Sequence, residues 1–168
     1  MKKSIQMLCV SLAWGVLLVS SAQADEGRER GRSAPQLALY QQECGSCHLA
    51  YPAGLLPARS WTRLMQGLDQ HFGVNASLDD ESVKTLSTYL TRYASTRTET
   101  PPQDRITQAR WFVRKHHDFT QQDWLKVKGA SNCAACHTGA AQGDFEEDRV
   151  RLPDGLRAGW KFWRRDDD

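Results

Sequence analysis

Cysteine is scarce outside two short stretches. Of five cysteines in 168 residues, Cys9 lies in an N-terminal apolar run. The other four, Cys44, Cys47, Cys133 and Cys136, all fall within "ECGSCH" and "NCAACH". None is left over for a disulfide framework elsewhere in the chain. Methionine is scarcer: Met1 and Met7 lie in the N-terminal stretch, so Met65 alone remains beyond it. No excess of one charge survives removal of that stretch. The whole chain has 22 Lys and Arg against 20 Asp and Glu. Without Lys2 and Lys3 the balance is 20 against 20, which excludes the basic footprint of a nucleic-acid binder. No alternating strand pattern of useful length appears, so the expected fold class is mainly α. No βαβ pattern appears either, which removes the context of a thioredoxin-like thiol pair.

The one markedly apolar run, Met7 to Val19, is too short to span a bilayer. Lys2 and Lys3 precede it, and "SSAQA" follows, with small residues at Ala22 and Ala24. Charge, apolar centre and A-x-A site are the order of a secretory signal peptide. An uncleaved anchor helix or a lipid on Cys9 are the competing readings. The short core, the cleavage site and the position of Cys9 inside the run oppose them. Cleavage after residue 24 of 168 leaves 144 residues beginning at Asp25. The mature protein is expected to be soluble and outside the cytoplasm, in the periplasm.

In both motifs two residues separate the cysteines and a histidine follows the second. That is the attachment grammar of c-type haem. Each thiol adds to a porphyrin vinyl group to form a thioether. The two-residue spacing puts both sulfurs on one side of a helical turn. The next residue then projects an imidazole beneath the iron. His48 and His137 are therefore the expected proximal ligands, with two covalently attached haem c groups as cofactors. Zinc held by the four cysteines is the competing structural reading, and it leaves both adjacent histidines unexplained.

Five histidines make the sixth-ligand question nearly a matter of counting. His71, His116 and His117 remain. In "SWTRLMQGLDQHFG", Trp61, Leu64, Met65, Leu68 and Phe72 recur at helical offsets, with Ser60 placed to cap and Gly73 to terminate. His71 shares that stripe and is the expected second ligand opposite His48. Met65 competes for the same iron, with core filling as its alternative role. In "RITQARWFVRKHHDF", Thr107 is placed to cap, and Ala109, Phe112, Val113 and His116 form one stripe. His116 is the expected ligand opposite His137, with His117 at the stripe's edge as the alternative. Irons closed on both faces by imidazole have no open position for oxygen, peroxide or substrate. Electron transfer without bond chemistry follows, so no catalytic residue is assigned. The alternative is a haem enzyme, peroxidase-like or gas-reducing, with a displaceable sixth ligand.

The chain divides into a flexible charged leader (residues 25–33), a first haem unit (34–98), a linker with Pro101-Pro102 (99–105) and a second haem unit (106–168). In the first unit the distal histidine follows the attachment motif, and in the second it precedes it. The two are therefore not copies of one repeat. The loop "LAYPAGLLPARS" is expected to offer a backbone carbonyl to Nδ1 of His48. "SLDD" is read as a helix start with Ser77 and Asp80, and "TQQD" as another. The stretch from Arg149 to Arg165 interleaves basic residues with Trp160, Phe162 and Trp163. It either covers the second haem or makes a peripheral membrane contact.

The motifs "CGSCH", "GLLPARSW", "HFG" before "SLDDE", "RITQARWF" before a histidine, "NCAACH" and "GDFEEDRVRLP" resemble the small bacterial dihaem cytochromes c, over nearly the whole mature chain. The resemblance implies a first half like class I cytochrome c and a second half of irregular fold. It implies bis-histidine ligation at both irons, with His71 opposite His48 and one histidine of "KHHDF" opposite His137. It also implies a periplasmic redox partner, such as a small haem protein or a membrane b-type cytochrome.

Overall fold

The computed structural model describes residues 34–156. The expected signal peptide and leader, and residues 157–168 of the basic aromatic C-terminus, lie outside the described residues. Among the described residues the regular structure is helical. Five α-helices alternate with short 3₁₀ turns, and the only strand-like pairings are isolated bridges. The mainly α fold class expected from the sequence is the one observed. No helix among the described residues is long and apolar enough to cross a membrane.

Helix α1 spans Ala38–Cys44 and buries Tyr40. Pro35 lies just ahead of it and outside the helix. Helix α2 spans Ala58–Gln66 and begins after Pro57, with no side-chain cap. Ser60, expected at the cap, is instead wholly buried inside the helix. Pro57 sets the start because its fixed φ of −70° leads into the first turn without an N–H to satisfy. The helix expected to continue to His71 stops at Gly67, whose amide closes on the carbonyls of Arg63 and Leu64. A separate 3₁₀ turn, Leu68–Gln70, carries the chain on to His71. The apolar spacing there reflects two short elements that share one side, not one helix.

Helix α3 spans Asp80–Arg92. Its cap is Asp79, which accepts from the Ser82 amide at 2.9 Å; the expected Ser77 instead donates its amide to Asn75. A carboxylate at this position also suits the positive end of the helix. Leu86 and Leu90 are buried on the stripe that Val83 and Tyr93 extend. Helix α2 lies against α3, and α1 and the turn Ala53–Leu55 also contact α3. Together they enclose one core of Tyr40, Ala50, Ala53, Leu56, Trp61, Met65, Leu86 and Leu90. The Trp61 indole donates to the Ala53 carbonyl at 2.7 Å inside it.

Beyond Pro101, α4 spans Arg110–Lys115 and α5 spans Gln121–Lys126. Thr107 sits within a 3₁₀ turn and does not cap α4; Ala109 takes that position. The cap expected at "TQQD" is present: Thr120 and Asp123 exchange side-chain and backbone hydrogen bonds. Among the described residues this half buries fewer large side chains, with Ala109, Phe112, Val127, Ala140 and Leu156 below the surface.

Candidate functional site

The first cysteine-histidine motif begins where α1 ends. Cys44 is the last helical residue, and Gly45 turns the chain with its amide bonded to the Gln41 carbonyl. A Cβ at Gly45 would fall 2.2 Å from that carbonyl oxygen, so no other residue fits between the cysteines at this point. The second motif folds as a 3₁₀ turn, Cys133–Ala135, in which the Cys136 and His137 amides both return to the Cys133 carbonyl. None of the four is joined in a disulfide. Burial pushes the Cys44 and Cys133 thiols up to about 11. Before any haem is attached they are therefore protonated thiols, unlike the low-pKa thiolates of redox disulfide sites. No three metal-binding side chains converge among the described residues, so the four cysteines do not gather into a zinc site.

Each motif histidine faces one other histidine. His48 and His71 have ring centres 6.1 Å apart and planes inclined by 22°. His137 and His116 have ring centres 6.3 Å apart and planes inclined by 70°. A metal–imidazole bond of about 2.0–2.1 Å, with about 1.2 Å from nitrogen to ring centre, puts two imidazoles on one metal about 6.4–6.6 Å apart. Both observed separations lie within about 0.5 Å of that span. Nδ1 of His71 and Nδ1 of His137 are buried with no hydrogen-bond partner among the described residues. A buried polar atom left unmet costs about 1–3 kcal/mol, and both of these occur at the facing rings. The donor set and its spacing therefore fit iron held between paired imidazoles.

The other two rings are fixed by hydrogen bonds. His48 Nδ1 lies 2.6 Å from the Leu49 carbonyl, the first residue of the loop expected to supply one. His116 Nδ1 lies 2.9 Å from the Phe112 carbonyl, one turn back. Donation from Nδ1 leaves the Nε2 lone pair for a metal. Burial lowers the pKa of His71, His116 and His137, so all three favour the neutral form a metal requires. His71 sits before a tight turn in which Phe72 and Gly73 have φ of 50° and 93°. Phe72 pays a left-handed penalty there, and the Arg105 guanidinium lies 4.3 Å over its ring. His117 faces away, with Nδ1 on the Arg114 carbonyl at 2.9 Å and Nε2 3.1 Å from Asp118. Met65 is buried in the core among apolar side chains.

Around the second pair the structure adds aromatic rings that the motif search does not supply. Phe112 lies 4.1 Å from the His116 ring, Trp124 5.9 Å from it, and Phe145 5.1 Å from His137. Phe145 lies in the "GDFEEDRVRLP" segment, and nothing in its local spacing marks it as a neighbour of His137. Tyr51 is similarly hidden in the sequence; its ring lies 5.0 Å from His48.

A family model described as dihaem cytochrome c matches residues 40–145. The chain belongs to the dihaem cytochrome c family. It carries two covalently attached haem c groups, and it is a haem electron-carrying cytochrome. The X-ray structure of a dihaem cytochrome type c from Shewanella baltica OS155 shares 42% identity over 71% of this chain and 95% of that one, with a TM-score of 0.62. The crystal structure of DHC purified from Rhodobacter sphaeroides shares 48% identity over 66% of this chain and 98% of that one, with a TM-score of 0.60. No curated protein matches the chain. The family resemblance drawn from the motifs is thereby borne out.

Proposed function

We propose that this dihaem cytochrome is exported to the periplasm and passes single electrons between redox proteins, with both irons closed by two histidines and no bond chemistry of its own. Cys44 and Cys47 bind the first haem, between His48 and His71. Cys133 and Cys136 bind the second, between His137 and His116. The observation that carries this reading is the facing of imidazoles in two separate places, at 6.1 and 6.3 Å. Each haem supplies a reversible one-electron couple, lower in potential with two histidines than with histidine and methionine. Leu49 and Phe112, through their carbonyls, hold His48 and His116 in the tautomer that leaves Nε2 unprotonated. Phe112, Trp124 and Phe145 keep water from the second pair.

The first unit is residues 34–98 and the second 106–168, joined by the linker 99–105. The buried core cluster runs from Tyr40 to Leu90, inside the first unit, which supports a boundary after it; Ile106 of the second unit packs against that core. The partner is a small haem protein or a membrane b-type cytochrome, met through a contact below about 1,200 Å² as redox encounters usually are. The signal-like N-terminus supports export. The basic aromatic C-terminus either covers the second haem or makes a peripheral membrane contact.

Low-temperature electron paramagnetic resonance of the oxidised holoprotein tests the ligation. Near-parallel imidazole planes separate the energies of the iron's two π-type d orbitals; near-perpendicular planes leave them nearly equal. Two low-spin signals are expected, one rhombic from the pair at 22° and one with a large principal g from the pair at 70°. A high-spin signal, or rapid stoichiometric binding of carbon monoxide by the ferrous protein, would overturn bis-histidine closure and favour an enzyme with a displaceable ligand.

A further inference from the structure

Tyr51 touches both haem sites. Its ring lies 5.0 Å from the His48 ring, with planes inclined by 23°. Its hydroxyl donates to the Ser131 carbonyl at 2.9 Å, across 80 residues of sequence. That carbonyl also accepts from the Cys133 amide at 3.0 Å, so it belongs to the turn that presents the second attachment motif. Tyr51 is itself held from behind. Its own carbonyl accepts from the Tyr40 hydroxyl at 2.7 Å, and Tyr40 is buried in the core of the first half. One side chain is thus anchored in the first core, lies alongside the first motif histidine and is hydrogen-bonded into the second motif.

We infer that Tyr51 is a positioning residue that straps the two haem sites together, its ring setting the orientation of His48 and its hydroxyl holding the Ser131–Cys133 turn against the first unit. The inference rests on the proposed roles of His48 and Cys133. The hydroxyl and the ring have separable duties. Tyr51→Phe removes the strap and keeps the ring. Tyr51→Leu removes both.

The test compares the holoprotein with these two variants by amide hydrogen exchange and by electron paramagnetic resonance. Losing one net hydrogen bond raises the open population of the tied turn about fivefold. Tyr51→Phe is therefore expected to speed exchange in the 131–137 segment about fivefold, while amides of α3 and the g values of both irons stay as in the unaltered protein. Tyr51→Leu is expected to shift the g values of the rhombic signal and leave the other signal alone. Unchanged exchange at 131–137 in Tyr51→Phe overturns the strap. So does a loss of protection spread evenly over α3, because that marks a general packing role. Exchange does not depend on which nitrogen binds iron, so a wrong ligand assignment shows in the spectrum and a wrong strap shows in exchange.

Discussion

His116 and His117 are adjacent in sequence and opposite in circumstance. The His116 ring lies between Phe112 and His137, and its Nδ1 is tied to the carbonyl four residues back. The His117 ring is about half exposed and engages Arg114 and Asp118. His116→Ala is expected to remove about half of the low-spin intensity, the share of one iron in two, and to create a high-spin signal that added imidazole reverses. His117→Ala is expected to leave both low-spin signals in place. A spectrum in which His117→Ala produces the high-spin iron would reverse the assignment. The sequence separated these two residues by helical offset alone. That guide is blunt here because α4 is only six residues long. Val113, on the same stripe, is 55% exposed. The hydrogen bond to Phe112, which aims the imidazole inward, has no counterpart in periodicity.

Among the elements, helix starts show which signals are local enough to read. The Thr120–Asp123 box is complete within four residues, and it forms as the sequence suggests. The Asp123 carboxyl accepts from the Thr120 hydroxyl and amide, and from Lys126. These bonds hold its pKa down to about 2, below the ordinary 3.8. A depressed folded-state value stabilises the fold above the ordinary pKa and is lost as pH falls through the folded one. The box should therefore support α5 at neutral pH and fail between about 3.8 and 2. Asp123→Asn is expected to remove that acid-side slope from the unfolding curve, measured by tryptophan fluorescence against pH. An unchanged slope would place the titration elsewhere. Ser60, Ser77 and Thr107 were equally plausible caps by residue type, and none serves. Pro57, the Asp79 carboxylate and the 3₁₀ turn ahead of Ala109 set those starts instead. The path to His71 was hidden for a related reason. Gly67 ends α2, and the 3₁₀ turn after it keeps the apolar side continuous, so the spacing looks like one helix.

At the scale of the molecule the two halves are stabilised unequally. The first has a connected core, with Leu56, Leu86 and Leu90 essentially inaccessible to solvent. The second surrounds its facing histidines with aromatic rings, and α5 leaves Leu125 72% exposed. A unit of about sixty residues is marginal even with a good core. The haem supplies the missing apolar volume, and its covalent tether keeps that volume in place. The length of each unit and its attachment motif point to this dependence. The difference in degree between the halves was not legible, because it depends on which side chains meet across long sequence separations. Changing Cys133 and Cys136 together to Ser removes the second tether. The expected product keeps the first haem and the hydrogen-exchange protection of α2 and α3, while α4, α5 and the 131–150 segment exchange at nearly unprotected rates. Changing Cys44 and Cys47 to Ser is expected to be milder in its own half, because the Trp61 and Leu86 cluster remains to hold α2 against α3. Equal loss of protection in both halves from either pair of changes would show a single cooperative unit. In that case the contacts across the halves, Tyr51 with Ser131 and Gln36 with Ala141, would carry more of the stability than the first core does.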